Sequence, residues 1–138
     1  LIGDLNTLSP LDRASHDAAD LTSGIRSGPY QKALSKKFIT KSKASVDYTP
    51  MQLLLDGPLT DVGAAAGHSV PTKINADHMH FAQLRLDYAL ASKGLIEASE
   101  AAAACAKDAA KGGALHAAPL RDDRTNSLSD HFPLLVTF

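Results

Sequence analysis

Three short polar groups lie where apolar segments of this chain begin or end, and their side chains could move protons or bind a cation. They are Gly3-Asp4-Leu5-Asn6, Arg85-Leu86-Asp87-Tyr88 and Ser129-Asp130-His131. Imidazole gives and takes protons near neutral pH, and carboxylates supply the oxygen ligands that Mg²⁺ prefers. Charged groups at the mouth of an apolar strand are usually paired or functional. A plain polar turn is the alternative for the first and the last of these groups, each taken alone.

The apolar segments beside these groups predict the strands that would position them. Leu1-Ile2 has the character of the end of a buried strand, and residues 134–138 form an apolar, β-branched run typical of another. Residues 84–91 alternate between apolar and polar and then become apolar, which predicts a third strand. On that strand Arg85 and Asp87 share a face, so the Asp87 carboxylate enters a partly buried place and needs a partner. The ends of neighbouring strands can meet in one cleft, and we expect the three polar groups to meet in this way.

Helix signals lie between the predicted strands. Ser9-Pro10 supplies a cap and a proline at the first helical position, and Thr49-Pro50 does the same for a second helix. Residues 97–111 have the strongest helix propensity in the chain and little apolar bulk, which indicates a surface helix. We expect Asp12 and His16, on the first helix, to lie at the surface.

A basic segment runs from Tyr30 to Lys43. Its apolar residues predict one or two helical turns with the lysines facing outward. A solvated helix face is the favoured interpretation. The alternative is a rim that attracts phosphate, since clustered lysines raise the local concentration of anions. The lysines are Lys32, Lys36, Lys37, Lys41 and Lys43.

Residues 63–81 have no apolar period and predict a loop that carries three histidines. These are His68, His78 and His80. A His-x-His pair can ligate a metal ion, but such sites usually need a third ligand at a fixed spacing, and the sequence offers no obvious one. A metal site in this loop is therefore disfavoured.

The overall composition excludes few functions. The 138 residues suit one small domain, and a net charge of −1 gives no global electrostatic argument for binding nucleic acid or a membrane. Cys105 is the only cysteine, so an internal disulfide is excluded. No apolar stretch approaches the roughly 20 residues of a membrane span. Two residues before Gly3 cannot form a strand by themselves, so we expect this chain to be the C-terminal part of a longer domain.

The three polar groups, taken in order, resemble the C-terminal half of the endonuclease/exonuclease/phosphatase superfamily, which has the DNase I-like fold. The group Ser129-Asp130-His131-Phe132-Pro133, which comes before a terminal strand, carries the most specific part of the resemblance. The resemblance implies an α/β fold, a four-layer αββα sandwich. Residues 1–138 would form the C-terminal part of one such domain, and its N-terminal half would lie outside this chain.

The resemblance also implies a role for each polar residue. Asp4 would orient or activate the attacking water, and Asn6 would form a hydrogen bond with the scissile phosphate. Asp87 would hold His131, and His131 would bind the charged phosphoryl group or donate a proton to it. Asp130 would be a carboxylate of the metal site. A carboxylate beside one imidazole nitrogen fixes the tautomer of the ring, which suits this arrangement.

The implied function is a phosphoesterase that depends on Mg²⁺ or Mn²⁺ and hydrolyses a phosphodiester or phosphomonoester by attack of water. The substrate would be a phosphate ester, with nucleic acid as one candidate. The superfamily's principal metal-binding Glu and an Asn precede the Gly-Asp-x-Asn group, so we expect this chain to be inactive without them. The chain contains no Trp, and it therefore lacks the aromatic wedge of some abasic-site nucleases. The alternative function is a non-catalytic scaffold or assembly subunit that keeps the fold.

Overall fold

A computed structural model of the chain describes residues 1–28, 30–42, 45–72, 74, 82–105 and 114–138. Helices and strands are mixed, as an α/β class requires. The strands are β1 (Ile2–Asp4), β2 (Leu59–Asp61), β3 (Asp87–Ser92), β4 (His116–Pro119) and β5 (Leu134–Thr137). The α-helices are α1 (Arg13–Ala18), α2 (Leu21–Ser27), α3 (Gln31–Phe38), α4 (Thr49–Leu55) and α5 (Lys93–Cys105), with 3₁₀ turns at Pro10–Asp12 and Thr125–Ser127.

The larger sheet has the order β1-β3-β2, and both of its pairings are antiparallel. Its register places Asp4 directly opposite Asp87. The strand predicted at residues 84–91 begins three residues later, at Asp87. Leu84 instead forms an isolated bridge with Val70. Part of the predicted loop therefore runs beside residues 84–86, which lead into β3 and are called the entrance to β3 below.

The smaller sheet pairs β4 with β5 in antiparallel fashion. Pro119 pairs with Leu134 at the end of the strand, a position that suits a residue without a backbone N–H. A hydrogen bond of 3.0 Å from Ala117 N to Val62 O ties this sheet to the chain that leaves β2. The prediction that the terminal strand is buried was wrong, because Leu135 on β5 is 45% exposed.

Two apolar clusters hold the helices against the larger sheet. The first joins α2 and α3 to the entrance of β3, and the second packs α4 against β3 itself. The proline signals at Ser9-Pro10 and Thr49-Pro50 begin helical segments as predicted. The first cluster includes Leu21, Ile25, Leu34, Phe38 and Leu86, and the second is centred on Met51, Tyr88 and Leu90.

A buried ion triad connects the first helical turn, β2 and the residues before β3. Arg85 is 4% exposed; its Nη1 lies 2.6 Å from Oδ2 of Asp61, and its Nε lies 3.0 Å from Oδ2 of Asp12. Burial alone would lower the pKa of Arg85, but the two carboxylates outweigh it and raise that pKa. The expected surface position of Asp12 was wrong, since its side chain is only 17% exposed.

His16 is also buried, in contrast to the predicted surface position. It is 5% exposed, and its Nδ1 lies 3.0 Å from the hydroxyl of Tyr48. Burial lowers the pKa of His16, and the nearby Asp12 opposes that shift. His16 thus joins α1 to the chain before α4 as a polar contact in the core.

The alanine-rich helix begins earlier than predicted, at Lys93, and α5 is described as far as Cys105. Residues 106–111 of the predicted helix lie outside the described residues. Most of the α5 side chains are exposed, as expected for a surface helix, and Ser99 is a buried exception. Among the described residues, no helix is long and apolar enough to cross a bilayer.

Candidate active site

The site is centred on an Asp-His pair between β3 and the loop before β5. Nδ1 of His131 lies 2.7 Å from Oδ2 of Asp87, a short charge-assisted distance. Both side chains are largely shielded, at 21% exposure for His131 and 13% for Asp87. The sequence separates these residues by 44 positions, and the structure brings them together as predicted.

Asp4 completes the cluster from the neighbouring strand. It is the cross-strand partner of Asp87, and one ligand atom each from Asp4, Asp87 and His131 lie within 4.8 Å of one another. Two carboxylates directly opposite in a sheet repel each other, so this position favours a cation nearby. The protonated imidazole, a lysine or a metal ion could supply that positive charge.

Asn6 is held against Asp4 by two hydrogen bonds. Its backbone N–H donates to Oδ1 of Asp4 at 2.8 Å, and its side-chain Nδ2 donates to Oδ2 at 2.6 Å. The φ of Asn6 is 49°, in the left-handed region that Asn tolerates better than most residues. This turn fixes the carboxylate and the amide as one unit at the end of β1.

The hydroxyl of Tyr88 contacts the backbone of the same loop. Its hydroxyl lies within donating distance of Thr7 O, at 3.0 Å, and of Arg85 O, at 2.7 Å. The ring is 1% exposed, and burial raises the pKa of its hydroxyl, which therefore stays protonated and can donate. The motif Arg85-Leu86-Asp87-Tyr88 thus provides one site carboxylate and three buried structural side chains.

Lys37 is a site residue that sequence reasoning did not single out from the other lysines. Its Nζ donates to Oδ1 of Asn6, and the ammonium also lies 4.8 Å from the centre of the Phe38 ring. Partial burial lowers the pKa of Lys37, and the nearby Asp4 opposes that shift. Its position at the end of α3 places one positive charge beside the Asp4-Asn6 turn. Neither residue spacing nor charge distinguishes it from Lys36 in the sequence.

Ser69 is a second site residue that no sequence pattern singles out. It is fully buried, and its Oγ accepts hydrogen bonds from the backbone N–H groups of Leu86, at 3.0 Å, and Asp87, at 3.2 Å. Its own carbonyl accepts from Phe132 N at 2.9 Å. One serine in an aperiodic loop therefore positions both the entrance to β3 and the segment after His131.

Replacing Ser69 with Ala should lower the free energy of unfolding by about 2 kcal/mol, because the buried N–H of Leu86 and the partly buried N–H of Asp87 lose their acceptor. Ser99 provides a matched control, since its buried hydroxyl has no hydrogen-bond partner among the described residues. Ser99→Ala should therefore leave stability nearly unchanged. Urea denaturation of both variants measures the difference, and equal losses would contradict the role given to Ser69.

The other residues considered in the sequence are not members of the described Asp4-Asp87-His131 cluster. Asp130 is exposed and its Oδ1 accepts from Ser129 Oγ at 3.1 Å, so its assignment as a metal ligand stays a prediction. His68 contacts Arg121, with 3.2 Å between Nδ1 and Nη1, and burial together with that cation lowers the pKa of His68. His78 and His80 lie outside the described residues.

The donor set of the cluster is compatible with a hard divalent cation. It offers two carboxylates, and Mg²⁺ is commonly held by one or two carboxylates together with water and substrate phosphate. An imidazole ligand would suit Mn²⁺ better than Mg²⁺. The cluster could therefore supply oxygen ligands in addition to Asp130, the carboxylate that the motif assigns to the metal.

Comparisons with the profiles of known protein families, with curated proteins and with solved structures find no match for this chain. The case for a function therefore depends on the geometry of the cluster and on the motifs themselves.

Proposed function

We propose that this chain belongs to a metal-dependent phosphoesterase that hydrolyses a phosphodiester or phosphomonoester by attack of water. The observation that carries the proposal is the pair of His131 and Asp87 at 2.7 Å, with Asp4 opposite Asp87 in the sheet register. These residues are far apart in the sequence and have the types that the motifs predict. A purely structural ion pair would not require a second carboxylate facing the first.

Each residue of the site would have its own role in the proposed hydrolysis. Asp87 binds Nδ1 of His131 and fixes the ring, so Nε2 is the atom that would donate to a phosphoryl oxygen. Asp4 would orient the attacking water, and Asn6, held by Asp4, would bind the scissile phosphate. Lys37 beside Asn6 would add positive charge where negative charge develops.

A bound Mg²⁺ or Mn²⁺ would neutralise charge on the phosphoryl oxygens. Asp130 is the carboxylate we propose for it, together with residues from the N-terminal half of the domain. Asp130 is exposed, and it follows Ser129 and precedes His131 in the same loop.

We further propose that the two sheets belong to a DNase I-like sandwich whose other half covers their exposed apolar side chains. Ile2 on β1 is 61% exposed, Leu135 on β5 is 45% exposed and Phe138 is 81% exposed. A contiguous exposed apolar patch usually marks a surface that another element covers, and we propose that these side chains belong to one. The N-terminal half of the domain would be that element.

A scaffold or assembly subunit is the second candidate, and the exposed face of α5 favours it. Leu95 on this helix is 51% exposed in an alanine-rich surface that could pack against a partner. This function would require none of the site residues for activity. The two proposals therefore predict different outcomes in one enzyme assay.

The test is a hydrolysis screen of the full-length protein on p-nitrophenyl phosphate, bis(p-nitrophenyl) phosphate and a labelled oligonucleotide. Activity on at least one substrate should disappear in EDTA and return with Mg²⁺ or Mn²⁺. Asp4→Asn should lower that activity at least tenfold, because it removes the negative charge that orients water. Asp20→Asn is the matched control, since Asp20 is exposed on a different turn and its φ of 44° suits Asn.

Folded protein that hydrolyses none of the three substrates with either metal would contradict the enzyme and support the scaffold. Equal activity of Asp4→Asn and Asp20→Asn would remove Asp4 from the mechanism.

A further inference from the structure

Positive charge is concentrated in one part of this nearly neutral chain. Residues 21–46 carry six of the 14 Lys and Arg residues and none of the 15 Asp and Glu residues. The rest of the chain is therefore acidic. Such segregation creates a local field that the net charge of −1 conceals.

The structure folds much of this basic segment around a groove of about 1040 Å³ beside α2 and α3. Arg26 of α2, Lys32 and Lys36 of α3, and Lys41 of the following turn line it, and all four are exposed. Ile39, 6% exposed, contributes an apolar part. No carboxylate is among the described residues that line the groove.

The groove and the candidate active site share helix α3. Lys36 lines the groove, and the next residue, Lys37, donates to Asn6 at the site. The two lysines point to different faces of one helix, about 100° apart. A ligand that extends from the site across α3 would therefore pass from Lys37 to the groove.

We propose that this groove binds the backbone of a single-stranded nucleic acid whose scissile phosphate lies at the Asp87-His131 pair. This inference rests on the proposed phosphoesterase function and specifies its substrate class. The groove would hold phosphates that do not react, and the cluster would act on one that does.

The distribution of the cations favours a strand over a single phosphate group. Lys32 and Lys36 are one helical turn apart, about 6 Å along the axis, so each can contact a different phosphate. Arg26 of α2 and Lys41 of the turn after α3 line the same groove and add two further cations. A compact anion would be bound by convergent donors in a small pocket, whereas an open groove lined by separated cations suits a backbone. The absence of carboxylates among its described lining residues fits sequence-independent binding.

The experiment measures binding of a fluorescent 12-nucleotide oligothymidylate to the full-length protein in EDTA, by anisotropy over a series of salt concentrations. EDTA prevents metal-dependent hydrolysis, so binding is observed whether or not the protein is an enzyme. The wild-type protein should bind with an affinity that falls linearly with salt on logarithmic axes. Lys32→Ala/Lys36→Ala should reduce the slope by about 1.4, at about 0.7 per lost phosphate contact on single strands, and should weaken binding about tenfold at low salt.

The matched control is Lys93→Ala/Arg124→Ala, which removes two exposed cations elsewhere on the surface. It should leave the slope unchanged. Alanine is compatible with α3, and circular dichroism would verify that both variants fold.

Failure of the two proposals can be distinguished. The proposed nucleic-acid groove is contradicted if the two double variants have equal salt slopes, or if the oligonucleotide does not bind. This holds even if the wild-type protein hydrolyses bis(p-nitrophenyl) phosphate. If binding depends on Lys32 and Lys36 but no ester is hydrolysed, the proposed nucleic-acid groove stands and the proposed phosphoesterase function is contradicted. Two results would overturn the proposed ligand class. In the first, inositol hexakisphosphate binds through these lysines and the oligonucleotide does not. In the second, a 12-base-pair duplex binds more tightly than the single strand.

Discussion

Replacing His131 with Ala should lower kcat/KM for the phosphate-ester substrate by about 10²- to 10⁴-fold, the range typical of a lost general acid or base. The side chain is 21% exposed and is held by Asp87 at 2.7 Å, so its orientation is fixed before substrate binds. Alanine removes the atom that would donate to the phosphoryl oxygen. The measurement uses the full-length protein with Mg²⁺ or Mn²⁺ in excess.

His116 provides the matched control for this substitution. It is an exposed histidine on β4 whose ring contacts Thr137, at 2.7 Å from Nδ1 to Oγ1, in the smaller sheet. His116→Ala should change kcat/KM less than twofold. A comparable loss in both variants would show that the effect of His131→Ala reflects general damage to the fold.

A double-mutant cycle separates the role of Asp87 from that of His131. Asp87→Asn keeps the size of the side chain but removes the charge that holds the ring, and it should itself lower kcat/KM. If Asp87 acts through His131, adding Asp87→Asn to His131→Ala should cost little more, because residues that act as a unit are not additive. Independent, additive losses would contradict the mechanism in which Asp87 holds the ring.

The sequence predicted the residue types at the site better than it predicted their surroundings. Asp4 and Asp87 come together because they lie at paired strand ends, and His131 reaches them from the loop before β5. Strand ends are visible in the sequence as a change from polar to apolar residues. Lys37 could not be selected, since its contact with Asn6 depends on where α3 ends relative to β1. Ser69 could not be selected for a similar reason. It lies in a loop with no periodic pattern, and its hydrogen-bond donors are 17 and 18 residues further along the chain.

The errors in the predicted fold also have a physical cause. Residues 84–86 alternate in polarity as a strand would, yet all three are buried, because Arg85 has carboxylate partners inside the molecule. Alternation predicts an exposed polar face only when the polar side chain remains in water. Asp12 and His16 were expected at the surface by the same reasoning, which considers each residue without its distant partners. The strands at both ends of the chain show the opposite error. Their apolar residues were expected to be buried, but they are partly exposed because none of the described residues covers them.

The buried triad leads to the largest expected change in stability. Arg85→Met should lower the free energy of unfolding by about 3–5 kcal/mol, the usual cost of removing one partner from a buried ion pair. The side chain of Asp61 is fully buried, and after the substitution its charge would lack the guanidinium at 2.6 Å. Methionine fills a similar volume, so the loss would reflect charge more than packing. Chemical denaturation measures it from the shift in midpoint at an unchanged m-value.

Arg124→Met is the control for Arg85→Met, because Arg124 is 91% exposed and lies 3.9 Å from Asp122. An exposed pair of this kind contributes little, so its loss should change stability by less than about 0.5 kcal/mol. Arg85→Lys should fall between the two: it keeps the charge but cannot reach Asp12 and Asp61 together as the guanidinium fork does. If Arg85→Met destabilised the protein no more than Arg124→Met, the triad would not be what joins the first helical turn, β2 and the entrance to β3. The positions of Asp87 and of the site would then depend on Ser69, Tyr88 and the apolar clusters alone.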